Sequence, residues 1–205
     1  MVKCFGTTLS LFLLTLLGSL PLGLLVAFGR MSKHWLPRNF TRVYISIMRG
    51  TPLMLQMWVV FFGIPKLIPI GSNWRYIAAV IAFIINYAAY FAEIYRSGIE
   101  SIPAGQYEAA EVLGYGKAQT FFKIILPQVI KRVIPPTGSE FMVLVKDTAL
   151  AQIIAQPQLF DIAIKTAAKN VSITPYIAAG IFYLIMSAVV EFAFKKLESK
   201  LDYYR

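Results

Sequence analysis

EAAEVLGYGKAQTFFKIILP, from Glu108 to Pro127, is a polar helical stretch punctuated by Ala and Gly, and the other long segments of the chain are mostly apolar. Of 205 residues, 58% are hydrophobic and only 15% are charged, with a mean hydropathy of +0.64. A soluble domain of this length needs a more polar surface. The composition points to an all-α integral membrane protein, with one transmembrane domain over residues 1–205.

Reading outward from the polar stretch toward the N-terminus, an apolar run of about Trp74 to Ser97 is preceded by a Pro- and Gly-rich loop, GIPKLIPIGSNW. Before it, a run from about Phe40 to Phe62 is interrupted by RGTP at Arg49–Pro52, so that its start reads as a separate interfacial turn. The first run, Phe5 to Phe28, is too long for a signal peptide and lacks a small-residue cleavage site. Pro21 and Gly23 are expected to bend it. On the C-terminal side a helix is expected from about Thr137, after Pro135-Pro136, to Ala155, broken by Gln156-Pro157. A mixed stretch, QLFDIAIKTAAKN, follows, then a helix from about Thr174 to Phe194 and an amphipathic tail, KKLESKLDYYR. The expectation is five transmembrane helices, with the polar segment, about residues 102–127, between the third and fourth.

The net charge of +10 resides mostly in Lys and Arg between the apolar runs. The connection after the first run (Arg30, Lys33, Arg38, Arg42), the polar segment and the tail are the rich ones, which places them in the cytoplasm, with the N-terminus outside and the C-terminus inside. No RNA-binding or zinc-finger signature accompanies this charge, so nucleic acid is not the expected partner. Cys4 is the only cysteine and His34 the only histidine, and neither has metal-ligand spacing around it. No phosphate-binding loop, HExxH or GxSxG is present, which argues against an enzyme that hydrolyses nucleotide itself. No internal repeat supports an inverted-repeat secondary transporter.

Within the polar segment Pro103 can open a helix that AGQYEAAEVL continues. Gly114 is placed to stop it in a left-handed turn. A second piece, Lys117 to about Ile125, is expected to be limited by Pro127. Glu108 and Val112 share a face, and Ala109 and Ala110 permit close backbone approach. By these properties the hairpin packs on the spans or enters a groove on a partner; the residues alone leave both open.

The segment resembles the cytoplasmic signature of permease subunits of ATP-binding-cassette importers, EAA, three residues, G, nine residues, IxLP. It is matched by Glu108, Ala109, Ala110, Gly114, Ile124, Leu126 and Pro127. GTTLSLFLL near the N-terminus, MRGTPLMLQ (Met48–Gln56), AEIYRSGIESIPAGQYEAA (Ala92–Ala110) and KDTALAQII (Lys146–Ile154) are similar to the polar-amino-acid uptake branch. The chain departs from that branch at Ala149, where Ser is more frequent, and at Gln158, where an acidic residue is often found. The resemblance implies that the EAA helix couples the permease to an ATPase dimer that binds ATP and Mg, with no cofactor in this chain. It also implies a second permease subunit, identical or different, an extracytoplasmic amino-acid-binding protein, and a place in the bacterial plasma membrane.

Asn86, Tyr90 and Glu93 form one stripe of the third expected helix. Polar side chains at that depth face protein or water, either to bond neighbouring helices or to meet a solute. Glu93 and Arg96 are spaced to pair with each other. Lys146, Asp147 and Thr148 spread around their helix and suit an ion pair or a gate contact. Asp161 and Lys165 are one turn apart, as a surface pair or with Asp161 on a ligand. Asn86, Tyr90 and Asp161 are the candidate contacts for a polar amino acid, and the acidic group favours a basic one (arginine, lysine or histidine), with glutamine also compatible. The alternative is a passive channel or secondary carrier, for which the coupling signature has no use. A membrane-bound enzyme has no candidate nucleophile, metal cluster or acid–base pair here.

Overall fold

The computed structural model describes residues 2–68, 71 and 73–201, with side chains from Cys4 onward. Met1, Pro69, Ile70 and Ser72 of the loop, and residues 202–205 of the tail, lie outside the described residues. Among the described residues all regular structure is helical. The helices are α1 (Val2–Met31), α2 (Trp35–Gly50), α3 (Leu53–Gly63), α4 (Trp74–Glu100), α5 (Ala104–Val112), α6 (Lys117–Thr120), α7 (Leu126–Asp147), α8 (Leu159–Asn170) and α9 (Thr174–Leu201).

Among them, α1, α4 and α9 are each long and apolar enough to cross a membrane. α2 and α3 make a fourth if they form one broken span, bent by 110° at Thr51-Pro52. The RGTP interruption is therefore a true break, but the segment before it is a full amphipathic helix of 16 residues, not a turn. Pro52 has no N–H to continue the ladder and disfavours helical backbone at Thr51, which is extended at ψ 147°.

α4 is the axis of the molecule, with α1, α2, α3 and α7 packed around it. α1 runs parallel to α4, since Ser10 Oγ meets Tyr76 OH at 2.6 Å while Gly23, further along, lies against Ala88 and Phe91. A Cβ at Gly23 would sit 3.1 Å from the Ala88 carbonyl oxygen, so Gly is required for this approach. Small residues at such crossings let backbones meet where lipid offers no hydrophobic drive for association. The main core gathers Leu11, Met57, Phe83, Tyr87, Phe91 and Leu144 around α4.

Two expectations at prolines are corrected. α7 begins at Leu126, with Pro127 in its first turn, where a missing N–H costs nothing. Pro127 thus starts a helix; the piece before it is a short α6 followed by a wide π-type turn, Phe121–Ile125. Pro135-Pro136 lies inside α7, not ahead of the fourth helix. Packing on both sides carries the helix through the pair: Gly98 presses on Val133, and a Cβ at Gly138 would be 2.8 Å from the Phe194 ring. Past Asp147 the chain tightens into 3₁₀ turns, Thr148–Ile154, and ends at left-handed Ala155 before Gln156-Pro157. The tail is not separate, as α9 runs unbroken from Thr174 to Leu201.

Candidate functional site

Two regions hold most of the residues singled out by the sequence. The first is the segment between α4 and α7. α5 ends in a left-handed turn, with Gly114 at φ +77°. Tyr115 N–H donates to the Ala110 carbonyl at 3.0 Å and Gly114 N–H to that of Glu111 at 2.9 Å, which together satisfy the last carbonyls of the helix. A Cβ at Gly114 would meet nothing within 4 Å, so backbone conformation alone demands glycine there.

Ala110 is buried whereas Glu108 and Ala109 are exposed, so the EAA triplet faces both ways. Ile124 packs on a cluster of Ile102, Ile125 and Val129. Leu126 lines an apolar furrow between α1, α4 and α7, and Pro127 is exposed. The base of the segment is tied to α7: Arg132 donates to the Ser101 carbonyl, and Gln128 Nε2 to Gln106 Oε1 at 3.2 Å. Its tip is apolar and uncovered, with Val112 88% and Leu113 72% exposed and Phe122 also exposed.

The second region is a cavity of about 510 Å³ between the α2–α3 elbow (Arg49–Leu53), α4 (Asn86, Tyr87, Tyr90) and α7 with the turn after it (Glu140, Val143, Asp147, Leu150). Glu140, Val143 and Asp147 share one face of α7 by their i, i+3, i+7 spacing. Tyr87 OH donates to Asp147 Oδ2 at 2.8 Å. The Arg49 guanidinium lies over the Tyr90 ring, 5.3 Å from its centroid. Asn86 Nδ2 donates to Gln56 Oε1 at 2.9 Å and to the Met48 carbonyl at 3.1 Å, while Gln56 Nε2 donates to Thr51 Oγ1 at 2.8 Å. The elbow's backbone, freed by Pro52, is thus held by two amides. The cavity places one cation opposite two carboxyl groups, a pattern able to hold a carboxylate and an ammonium at once.

Of the predicted solute contacts, Asn86 and Tyr90 meet in this cavity, and Asn86 at the same time braces the elbow. Asp161 does not line it; it is buried in the first turn of α8 and accepts from Lys165 Nζ at 2.7 Å. Glu93 is held by Arg96, which also takes Glu100. Asp147 receives Tyr87. Gln158 is fully buried just ahead of α8, next to Leu159, whose N–H donates to Thr8 Oγ1 at 3.3 Å. Sequence reasoning passed over Arg49, Tyr87 and Glu140; the Glu140–Asp147 spacing, inside the helix expected from about Thr137 to Ala155, was its available signal.

Comparison with known proteins places the whole chain. The L-cystine transport system permease protein TcyB of Bacillus subtilis (strain 168) is 37% identical over 203 residues, covering 96% of this chain and 84% of TcyB. The glutamine transport system permease protein GlnP of Escherichia coli (strain K12) is 33% identical, covering 95% of this chain and 89% of GlnP. A crystal structure of an amino acid ABC transporter with histidines superimposes with a TM-score of 0.87 at 30% identity, over 97% of this chain and 92% of that one. Residues 19–203 match the family described as the binding-protein-dependent transport system inner membrane component, and the chain belongs to that family.

Proposed function

We propose that this chain is the membrane-spanning permease of an ATP-driven importer of a polar amino acid, and that the cavity at the elbow is where the amino acid is met. The observation that carries this is the juxtaposition of Arg49 with Glu140 and Asp147 in one cavity. An α-carboxylate is answered by Arg49 and an α-ammonium by a carboxyl group of α7, because the hydrocarbon around them supplies neither. One cation against two acids leaves one negative charge over, which favours a basic amino acid; the amide of glutamine is also compatible. Cystine and glutamine in the names of TcyB and GlnP support the class of polar amino acids. Tyr90 and Asn86 shape the site, and Asp161 adds a negative charge on the path beyond it.

The span count we infer is five: α1, the α2–α3 pair, α4, α7 and α9. Arg30, Lys33, Arg38, Arg42, the α5–α6 segment and the end of α9 then face the cytoplasm and the N-terminus faces outward. Glu108, Ala109, Ala110, Gly114, Ile124, Leu126 and Pro127 form the coupling element. Its uncovered tip enters the ATPase, which binds the ATP and Mg, and an extracytoplasmic binding protein delivers the amino acid. A second permease completes the path, since few helices enclose it here. Rigid-body movement of the two permeases exposes the cavity to each side in turn.

The test is ATP-driven uptake by the reconstituted complex from a panel of arginine, lysine, histidine, glutamine, cystine and glutamate. Uptake of basic amino acids ahead of glutamate is expected. Uptake that runs without ATP would instead assign the chain to a channel or secondary carrier.

A further inference from the structure

We propose that α2 is a lipid-binding helix whose Arg38 and Arg42 hold the head groups of anionic phospholipids of the inner leaflet, beside the elbow that carries Arg49. The inference rests on the orientation proposed above and extends it to a ligand.

The faces of α2 divide cleanly. Thr41 and Ile45 are buried, Thr41 against Gly29 in the last turns of α1 and Ile45 against Ala89 and Ala92 of α4. Trp35, Phe40, Val43 and Ile47 are exposed, with Phe40 at 77% and Trp35 at 65%. Arg38, Arg42 and Arg49 lie on the edge between these faces, within about 40° of one another at 3.6 residues per turn. The contact of Thr41 with Gly29 puts Arg38 and Arg42 level with the end of α1, where the chain leaves the hydrocarbon and Trp35 suits the interface. An apolar face with aromatic residues and a basic edge is the pattern of a helix lying against anionic lipid.

Charge decides the occupant. The chain contains no Asp or Glu before Glu93, so α1, α2 and α3 offer these arginines no carboxylate. Glu93 and Glu100 on α4 are both taken by Arg96. Among the described residues the guanidinium groups of Arg38 and Arg42 enter no ion pair or hydrogen bond, and both are exposed. Their anion comes from outside the chain, and at this depth the abundant one is the phosphodiester of an acidic lipid. The same helix leads to Arg49 and the Asn86-braced elbow, so head groups on Arg38 and Arg42 fix the element that forms one wall of the cavity.

The assembled complex is reconstituted in phosphatidylcholine alone or mixed with phosphatidylglycerol, as wild type, as Arg38→Gln/Arg42→Gln and as Arg38→Lys/Arg42→Lys. Retained phosphatidylglycerol is read by native mass spectrometry from nanodiscs, and uptake from proteoliposomes. Wild type is expected to retain phosphatidylglycerol and to transport faster in its presence. The Gln pair loses roughly thirty-fold in lipid affinity, about five-fold per arginine, together with the stimulation, and keeps the phosphatidylcholine rate. The Lys pair, still cationic, keeps most of both. Equal lipid retention and stimulation in wild type and the Gln pair overturns the proposal. So does loss of the ATPase or the second permease from the Gln pair with lipid retention unchanged, which assigns the arginines to a protein partner. Absence of ATP-driven uptake by wild type in either lipid would contradict the importer reading, while the mass spectrometry still decides lipid binding.

Discussion

The α5–α6 segment and the elbow cavity are opposites in how they break the rules of their surroundings. The segment is polar in an apolar chain, yet its tip holds Val112, Leu113 and Phe122 out uncovered. The cavity lies among apolar helices, yet it gathers Arg49, Glu140 and Asp147. Exposed apolar groups are unfavourable until a protein covers them, and charges within a membrane domain are unfavourable until a solute or countercharge answers them. Each region is incomplete in the way its proposed partner corrects: an ATPase surface for one, a charged amino acid for the other. On the proposed roles the difference also separates their failures: damage to the segment is expected to act on assembly, and damage to the cavity on the solute.

The largest effect is expected from Asp147→Leu. It removes a cavity charge and strands the Tyr87 hydroxyl, a loss of about 3 kcal/mol, or on the order of 100-fold in uptake. The ATPase should still copurify in full; loss of the ATPase from this variant would break the separation of the two regions. Gly114→Val comes next. It forces a β-branched side chain into the left-handed region at a cost of about 1–2 kcal/mol, and copurified ATPase and uptake should fall together, roughly ten-fold. Gly114→Asn, which tolerates that backbone, should stay close to wild type, because no neighbour obstructs a side chain there. If Asn fails as badly as Val, the coupling surface, not the backbone, requires the glycine. The smallest effect is Asp161→Asn, measured as arginine and glutamine uptake side by side. A few-fold loss for arginine alone sharpens the charge argument, and an equal loss for both assigns Asp161 to its pair with Lys165.

The two regions also differed in how far they could be read from the sequence. The α5–α6 segment is contiguous, so that spacing from Glu108 to Pro127 and the stop at Gly114 were visible in one line, and the left-handed glycine is where the sequence put it. The cavity is assembled from residues near positions 50, 87 and 145, and only the Asn86–Tyr90 stripe had a local signature. Pro135-Pro136 read as a helix boundary, whereas contacts with Gly98 and Phe194 hold the helix across it; Glu140 lay inside the expected helix all the same, and what no local window held was Arg49, which it meets in the cavity. Arg49 read as part of a turn because the elbow is stabilised by Gln56 and Asn86, from beyond the break and from another helix, which no window around RGTP contains.

The most direct test of the account is protection of the cavity by the transported amino acid. In a Cys4→Ser background, Val143→Cys puts a single thiol on the exposed α7 position between Glu140 and Asp147. Its labelling rate by a water-soluble thiol reagent is measured in the assembled complex with rising amino acid. The account predicts that labelling slows, with half-effect at the concentration that half-saturates uptake, and that glutamate at the same concentration protects least. Labelling that ignores the amino acid, in a variant that still transports it, would contradict the placement of the solute at the elbow.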